Sequence, residues 1–255
     1  MTFLEESCLG VWEAFGVSTV VALGFVGVVC ALSASGKMPS FASRKLLHIG
    51  IGPLFVLCWR LFPTMSATET AIPALCRPRC VAALLPAAIT LVFAAIGLAL
   101  LPSDLGLVRV MARSGTDAAE ILRGPLIYGL AHVALTLACW TDGPAGVLAV
   151  ATLCGGDGLA EVCGRRWGRA TGPVPWAARR RKTVAGSLGF VAASFVLANA
   201  LLAALAPAPW TGAAPDQLRL LLVCAAAALV ETVPVHEIDN ALVPLATVLI
   251  ARFLW

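Results

Sequence analysis

Apolar residues gather in stretches at about 14–35, 46–62, 81–101, 125–140, 144–160, 184–205, 217–231 and 240–254, with short polar segments between them. A helix needs about 20 predominantly apolar residues to cross the hydrocarbon layer of a bilayer, a few less where the layer thins. The last stretch is short, so the pattern predicts seven or eight crossings. "WTDGP" separates the fourth stretch from the fifth as a tight turn. Pro144 suits the first turn of the helix after it, where a missing N–H costs nothing. The expected fold is an all-α, polytopic membrane helix bundle, one domain over residues 1–255.

Composition removes the soluble alternatives. Hydrophobic residues make up 60% of the chain and charged ones 13%, and the mean hydropathy is +0.91. A soluble domain carries about 25% charged residues, so this chain cannot cover a globular surface with polar groups. The start, "MTFLEESC", is acidic and lacks the basic leader of a signal or transit peptide. The nine cysteines form no CxxC pair, and "CRPRC" at 76–80 has no neighbouring histidine to complete a zinc site. They read mostly as small apolar fillers.

Charge then gives the bundle a direction. Loops 36–45, 102–124 and 161–183 hold thirteen of the eighteen Lys and Arg residues. Eight crossings place all three loops on one side, and the positive-inside rule puts that side in the cytoplasm-equivalent compartment with both termini opposite. Asp104, Asp117, Glu120, Asp157, Glu161, Glu231, Glu237 and Asp239 fall on the same side. A face that only anchors headgroups needs cations alone. A face that mixes acids with cations suits metal and phosphate.

"GGDGLAEVCGRR", residues 155–166, closes the fifth stretch. Asp157 and Glu161 are four residues apart, hence on one helix face, and Arg165 continues that row. Such an acid pair suits Mg²⁺, which takes one or two carboxylates and keeps water or phosphate oxygens elsewhere. Gly155, Gly156 and Gly158 leave room for a ligand beside the backbone. The competing reading is an interfacial helix end, with Glu161 and Arg165 paired and small residues packing helices. Acids within crossings are costly and are by default functional candidates.

"RRRKTVAGSLGF", 179–190, opens the sixth stretch with four cations, Thr183 and the pair Gly186–Ser187. A helix N-terminus offers free N–H groups and a positive dipole end to phosphate. GxxxxGK[ST] is absent from the chain, and a lipid-headgroup anchor is the other reading. "SRKLLHIGIGPLF" brings Arg44, Lys45 and His48 to the membrane surface, where His48 serves as a general base, a phosphate contact or an interfacial hydrogen-bonding group. "EILRGPLIYG" carries Glu120 and Arg123 as a helix-entrance pair before Gly-Pro. In "ETVPVHEIDNALVPL", Asp239 or Asn240 caps the last helix, or Asp239 ligates a metal.

In this order, "RKLLHIGIGPLF", "ILRGPLIYG", "GGDGLAEVCGRRWG", "KTVAGSLGF" and "VETVPVHEIDNALVPL" resemble the phytol kinase family of polyprenol and isoprenoid-alcohol kinases, over residues 44 to about 245. The resemblance implies a CTP-dependent kinase acting on a long-chain isoprenoid alcohol in the membrane. In photosynthetic organisms that activity salvages phytol toward tocopherol, in a plastid membrane. On this reading Asp157, with Glu161 or Asp239 assisting, holds Mg²⁺. Arg165, Arg166 and Lys182 surround the triphosphate beside Gly186 and Ser187, with Arg123 as a further contact and His48 as base or phosphate contact. The expected partners are a nucleoside triphosphate, the alcohol and membrane lipids, with no nucleic acid.

Val184 stands where the family usually has Trp, and Asp239-Asn240 where it often doubles Asp. Kinases for farnesol, dolichol and phytyl phosphate share much of the motif set. Phosphatidate cytidylyltransferases also show a similar "D…GRRWG…KT.AGS" arrangement. A transporter is the rival of another class, but the charges lie at one face and no inverted repeat of broken helices is visible.

Overall fold

A computed structural model describes residues 3–64, 73–98, 106–112, 117–180, 182–233 and 238–255. The chain divides into two compact units, Met1–Trp140 and Thr141–Trp255. The first holds α1 (Phe3–Ala34), α2 (Ser40–Cys58), α3 (Pro78–Gly97), the short α4 (Gly106–Met111) and α5 (Gly124–Ala138). The second holds α6 (Pro144–Val150), α7 (Asp157–Thr171), α8 (Val184–Leu205), α9 (Ala214–Thr232) and α10 (Asp239–Leu254). Among the described residues there is no strand, and a single bridge joins Pro173 to Thr183.

Among the described residues, six segments are long and apolar enough to cross a membrane: Gly10–Ala34, Ser40–Leu61, Pro78–Gly97, Glu120–Ala138, Pro144–Thr171 and Val184–Leu205. Helix α9 carries Asp216, Arg219 and Glu231, and α10 has 16 residues, so both fall short of that standard. Leu91 is 70% exposed and Phe253 89%. Side chains this apolar standing free are expected where hydrocarbon, not water, surrounds the helix.

Within the first unit, Val29 of α1, Leu47 of α2 and Val110 of α4 share one buried cluster. Phe93 and Ile96 of α3 pack with Val108 and Ile121 in another. Small residues set the approach of the helices: a Cβ on Gly129 of α5 would strike the Thr90 side chain of α3. Arg44 and Lys45 ride on α2, which begins at Ser40, not in a loop that lasts to residue 45. Cys76 is disulfide-bonded. Cys30, Cys58, Cys80, Cys139, Cys154, Cys163 and Cys224 are free.

In the second unit, Pro144–Thr171 is one helical rod, opened by Pro144 as its sequence suggests. Its middle, Ala151–Gly156, is a π-helical turn with all six residues buried. The rod runs eleven residues past the expected end at 160, so Arg165, Arg166 and Arg169 lie on helix instead of in a loop. Gly156, Ala160, Gly164 and Gly168 recur every four residues along it, the spacing of a close helix–helix seam. Helix α8 fills that seam: a Cβ on Gly156 would meet Ser194 and Phe190, and one on Gly168 would meet Thr183. Thr152 in the π-turn and Thr247 of α10 share a buried hydrogen bond of 3.1 Å.

At the other end of α9, Asp216 is a buried hub. Its carboxylate accepts from Thr211 N and Oγ1 at 2.8 and 2.7 Å, from Arg219 at 3.1 Å and from Trp255 Nε1 at 3.0 Å. Those bonds tie the start of α9 to the final residue of the chain.

Candidate active site

Asp157 is the first α-helical residue after the π-turn and is half-buried. Extra-wide turns of this kind are concentrated at functional sites, where they re-aim the residues that follow. Glu161 lies one turn further along α7, on the same face as expected. Arg165 donates to Glu161 Oε1 from Nη2 at 2.7 Å and from Nε at 3.1 Å. The row Asp157–Glu161–Arg165 therefore exists, with Glu161 and Arg165 paired to each other. Arg166 is exposed on the next position of α7.

The glycines do not open a ligand space. A Cβ on Gly155 would lie 2.9 Å from Leu197 Cδ2, and one on Gly156 would lie 2.8 Å from the Phe190 ring. A Cβ on Gly186 would lie 3.1 Å from the Ala160 carbonyl oxygen. All three pack against neighbouring helix, which corrects the expectation that Gly155 and Gly156 leave room for a ligand beside the backbone. Ser187 Oγ is buried on α8 with no hydrogen-bond partner among the described residues.

The N-terminus of α8 is likewise closed. Val184 N donates to Gly172 O at 3.1 Å, Ala185 N to Thr171 Oγ1 at 3.1 Å and Gly186 N to Thr183 Oγ1 at 3.1 Å. Ser187 N donates to Thr183 O at 3.0 Å. These four N–H groups are already bonded within the protein, which leaves the cations of this segment as its candidate anion contacts.

Those cations sit on a loop that closes on itself. Gly172, at φ +76°, turns the chain out of α7, a conformation that favours glycine. Val174 N then donates to Lys182 O at 2.9 Å, and a 3₁₀ segment, Pro175–Arg180, carries Arg179 and Arg180. The end of α9 holds the loop from outside: Trp176 Nε1 donates to Thr232 Oγ1 at 2.8 Å, and Lys182 Nζ pairs with Glu231 Oε1. Glu231 is buried, and the sequence alone places it merely among the acids of this face. Its signal is an acid inside the last apolar turn of a helix, "ALVET", where an unpaired charge would be expensive.

Asp239 begins α10 at its first helical position, and Ile238 occupies the cap position, so Asp239 is not the cap. The Asp239 side chain, like Asp104 and Glu237, lies outside the described residues. Asn240 is inside the helix.

His48 and Arg123 belong to the first unit. The His48 ring meets that of Tyr128 at a 42° tilt with centroids 4.7 Å apart, and Tyr128 Oη donates to His48 O at 2.9 Å. Tyr128 also meets the ring of buried His132 at 4.3 Å. The sequence offered one clue to this cluster: Tyr128 is the sole tyrosine of the chain, four residues from His132. Arg123 is exposed at the cap position of α5, and its N–H donates to Glu120 O at 3.3 Å.

No three of the described His, Cys, Asp and Glu residues gather into a metal-holding group. The donor set still fits Mg²⁺ bound chiefly by phosphate, which needs only one or two carboxylates. Asp157 at the head of α7 would be the first of them, and Glu161 one turn on would be the second, with its Oε1 already bonded to Arg165.

No protein-family model and no solved structure matches the chain. Among known proteins it is similar to the chloroplastic farnesol kinase of Arabidopsis thaliana, 33% identical over 254 residues, 99% of this chain and 78% of that one. A probable chloroplastic phytol kinase of Zea mays is 33% identical over 241 residues, 93% of this chain and 74% of its own. The chloroplastic phytol kinase 1 of Arabidopsis thaliana is 34% identical over 213 residues, 82% and 65% of the two chains. Likeness that runs through both units and through α7, its loop and α8 leads to one conclusion: the chain belongs to the phytol kinase family.

Proposed function

We propose that this protein transfers the γ-phosphoryl group of a nucleoside triphosphate to the hydroxyl of an isoprenoid alcohol in a plastid membrane, with CTP as donor and phytol as acceptor. The observation that carries the reading is the 33% identity to a farnesol kinase across 99% of the chain, joined by phytol kinases over most of it. All of these relatives are named chloroplastic, which supports the plastid membrane.

The chemistry asks for little beyond placement and charge. The alcohol oxygen attacks the γ-phosphorus, the bond to the β,γ-bridging oxygen breaks, and the alcohol proton is lost to leave a phosphate monoester and a nucleoside diphosphate. Positioning and neutralisation of phosphate charge supply most of such a rate. Mg²⁺ bound by Asp157, with Glu161 assisting, would supply part of that neutralisation. Arg166 and Lys182 add positive charge from side chains, because the backbone donors at the head of α8 are already used. The apolar spans give the isoprenoid tail a medium in which to lie while its hydroxyl stays at the interface.

A second acceptor, farnesol, is favoured by one observation: the relative named farnesol kinase matches a larger share of this chain than the phytol kinases cited beside it. The test uses purified protein in detergent with Mg²⁺, CTP labelled distinguishably at its α- and γ-phosphates, and phytol, farnesol or phosphatidate. Transfer of γ-label to an alcohol is the expected result, and the ratio of rates ranks the two acceptors. Transfer of α-label to phosphatidate would replace this reading with a cytidylyltransferase. Asp157→Asn is expected to abolish transfer while the protein still inserts and stays monodisperse; near-normal turnover would remove Asp157 from the site.

A further inference from the structure

Two consecutive residues at the end of α9 grip both arms of the cationic loop. Thr232 takes the indole N–H of Trp176 on the outgoing arm. Glu231 takes the ammonium of Lys182 on the returning arm, across 49 residues of sequence. The loop's base is already closed by Val174 N to Lys182 O at 2.9 Å and Val184 N to Gly172 O at 3.1 Å. The backbone of Lys182 is thus fixed without Glu231. What Glu231 adds is a fixed position for the end of the side chain.

The pair is lopsided in a way that suits recognition. The Glu231 side chain is 5% exposed and that of Lys182 28%. A buried ion pair seldom improves stability over well-packed apolar residues of the same volume, so its presence argues for geometry more than for strength. An ammonium carries three N–H donors. Among the described residues Glu231 is the one hydrogen-bond partner of Nζ, which leaves donors on the half-open side. A free lysine gives up much rotamer freedom when it binds an anion, and one held in advance gives up less. The head of α8 offers no backbone donors instead.

We propose that Glu231 is a positioning residue for the donor nucleotide: it holds Lys182 so that the remaining N–H groups of the ammonium meet phosphate oxygens of the triphosphate. The inference rests on the phosphotransferase reading above and adds to it a residue that never touches substrate.

The experiment compares wild type, Glu231→Gln, Glu231→Asp, Lys182→Met and the double variant Lys182→Met/Glu231→Gln, each as the monodisperse fraction in detergent. Two quantities are read: equilibrium binding of labelled CTP with Mg²⁺ in the absence of alcohol, and initial rates against CTP and against phytol. Glu231→Gln is expected to weaken CTP, in both Kd and KM, by about tenfold or more, the size of a lost charge-assisted contact. The KM for phytol should stay within about twofold, and Glu231→Asp should recover part of the loss. In the Lys182→Met background, adding Glu231→Gln should change CTP binding no further, because the group that Glu231 acts through is gone. Unchanged CTP affinity in Glu231→Gln, with only a lower folded yield, would overturn the proposal. So would an equal loss in the Lys182→Met background. A wild type that neither binds nor turns over CTP, ATP or UTP would overturn the phosphotransferase reading itself, and this inference with it.

Discussion

Replacing Gly156 with alanine tests the seam between α7 and α8 directly. The added Cβ would fall 2.8 Å from Cε1 and Cζ of Phe190, and against Ser194 Oγ. Both neighbours are 0% exposed, so neither has open space to swing into. Carbon atoms pack at about 3.5–4.0 Å; either Phe190 leaves its rotamer or the two helices part. Overpacking of a tight core costs about 1–3 kcal/mol, and alanine returns about 1 kcal/mol of the helix propensity that glycine lacks. With two immovable neighbours the upper end of that cost applies, which leaves a net loss of about 2 kcal/mol. For a chain of this size each kcal/mol moves Tm by about 2–4 °C, so the apparent Tm should fall by about 4–8 °C.

The assay is thermal unfolding in one detergent, with two more glycines as internal references. Gly24 has nothing within 4 Å of a built Cβ, so Gly24→Ala should leave Tm unchanged or slightly higher. Gly186→Ala should fall between the two, because its Cβ would press on the Ala160 carbonyl at 3.1 Å and Thr183 Oγ1 at 3.2 Å. Turnover per folded molecule of Gly156→Ala should also drop, since Asp157 is the next residue. A Gly156→Ala protein as stable as wild type, or an inverted order among the three, would refute the packing argument.

Two other substitutions follow from single contacts. Thr183→Ala removes the hydroxyl that accepts from Gly186 N and should cost about 1 kcal/mol of stability, the usual worth of an N-cap, with Thr183→Ser close to wild type in the same melt. The Thr211 hydroxyl and amide, followed by Trp255 and Arg219, hold the Asp216 carboxyl down to about 2 from 3.8. A carboxyl depressed on folding stabilises fully above its unfolded value and loses that contribution as pH falls toward its folded one. The gap in Tm between wild type and Asp216→Asn should therefore be constant near neutrality and close as pH drops from about 4 toward 2; a gap that ignores pH would refute the assignment.

The crossings are legible because the transfer of a side chain from water to hydrocarbon is decided residue by residue. The expected 184–205 coincides with α8, and Pro144 opens its helix as its missing N–H requires. Hydropathy fails where helix and membrane part company. After Ala160 the sequence turns polar, "EVCGRRWGRAT", yet the hydrogen-bonded rod continues to Thr171. The apolar pattern reports what surrounds a helix, while backbone hydrogen bonds decide how long it is. The four-residue spacing of Asp157, Glu161 and Arg165 is also local, and the structure keeps it on one helix, with Arg165 bonded to Glu161.

Satisfaction of polar groups is a different kind of quantity. "KTVAGS" announces the start of a helix, but it does not say that Thr171, Gly172 and Thr183 already occupy the N–H groups there. Nor does it say that Glu231 takes Lys182 from 49 residues away, or that Tyr128 bonds to His48 across 80. The sequence by itself determined a helical chain with long apolar segments and the acid row of α7, because hydrophobicity and helical spacing are sums over neighbours in the chain. Only the tertiary structure decided which of those charged and hydrogen-bonding groups are spent inside the protein and which remain for a ligand, because each hydrogen bond needs a partner whose position the fold alone supplies.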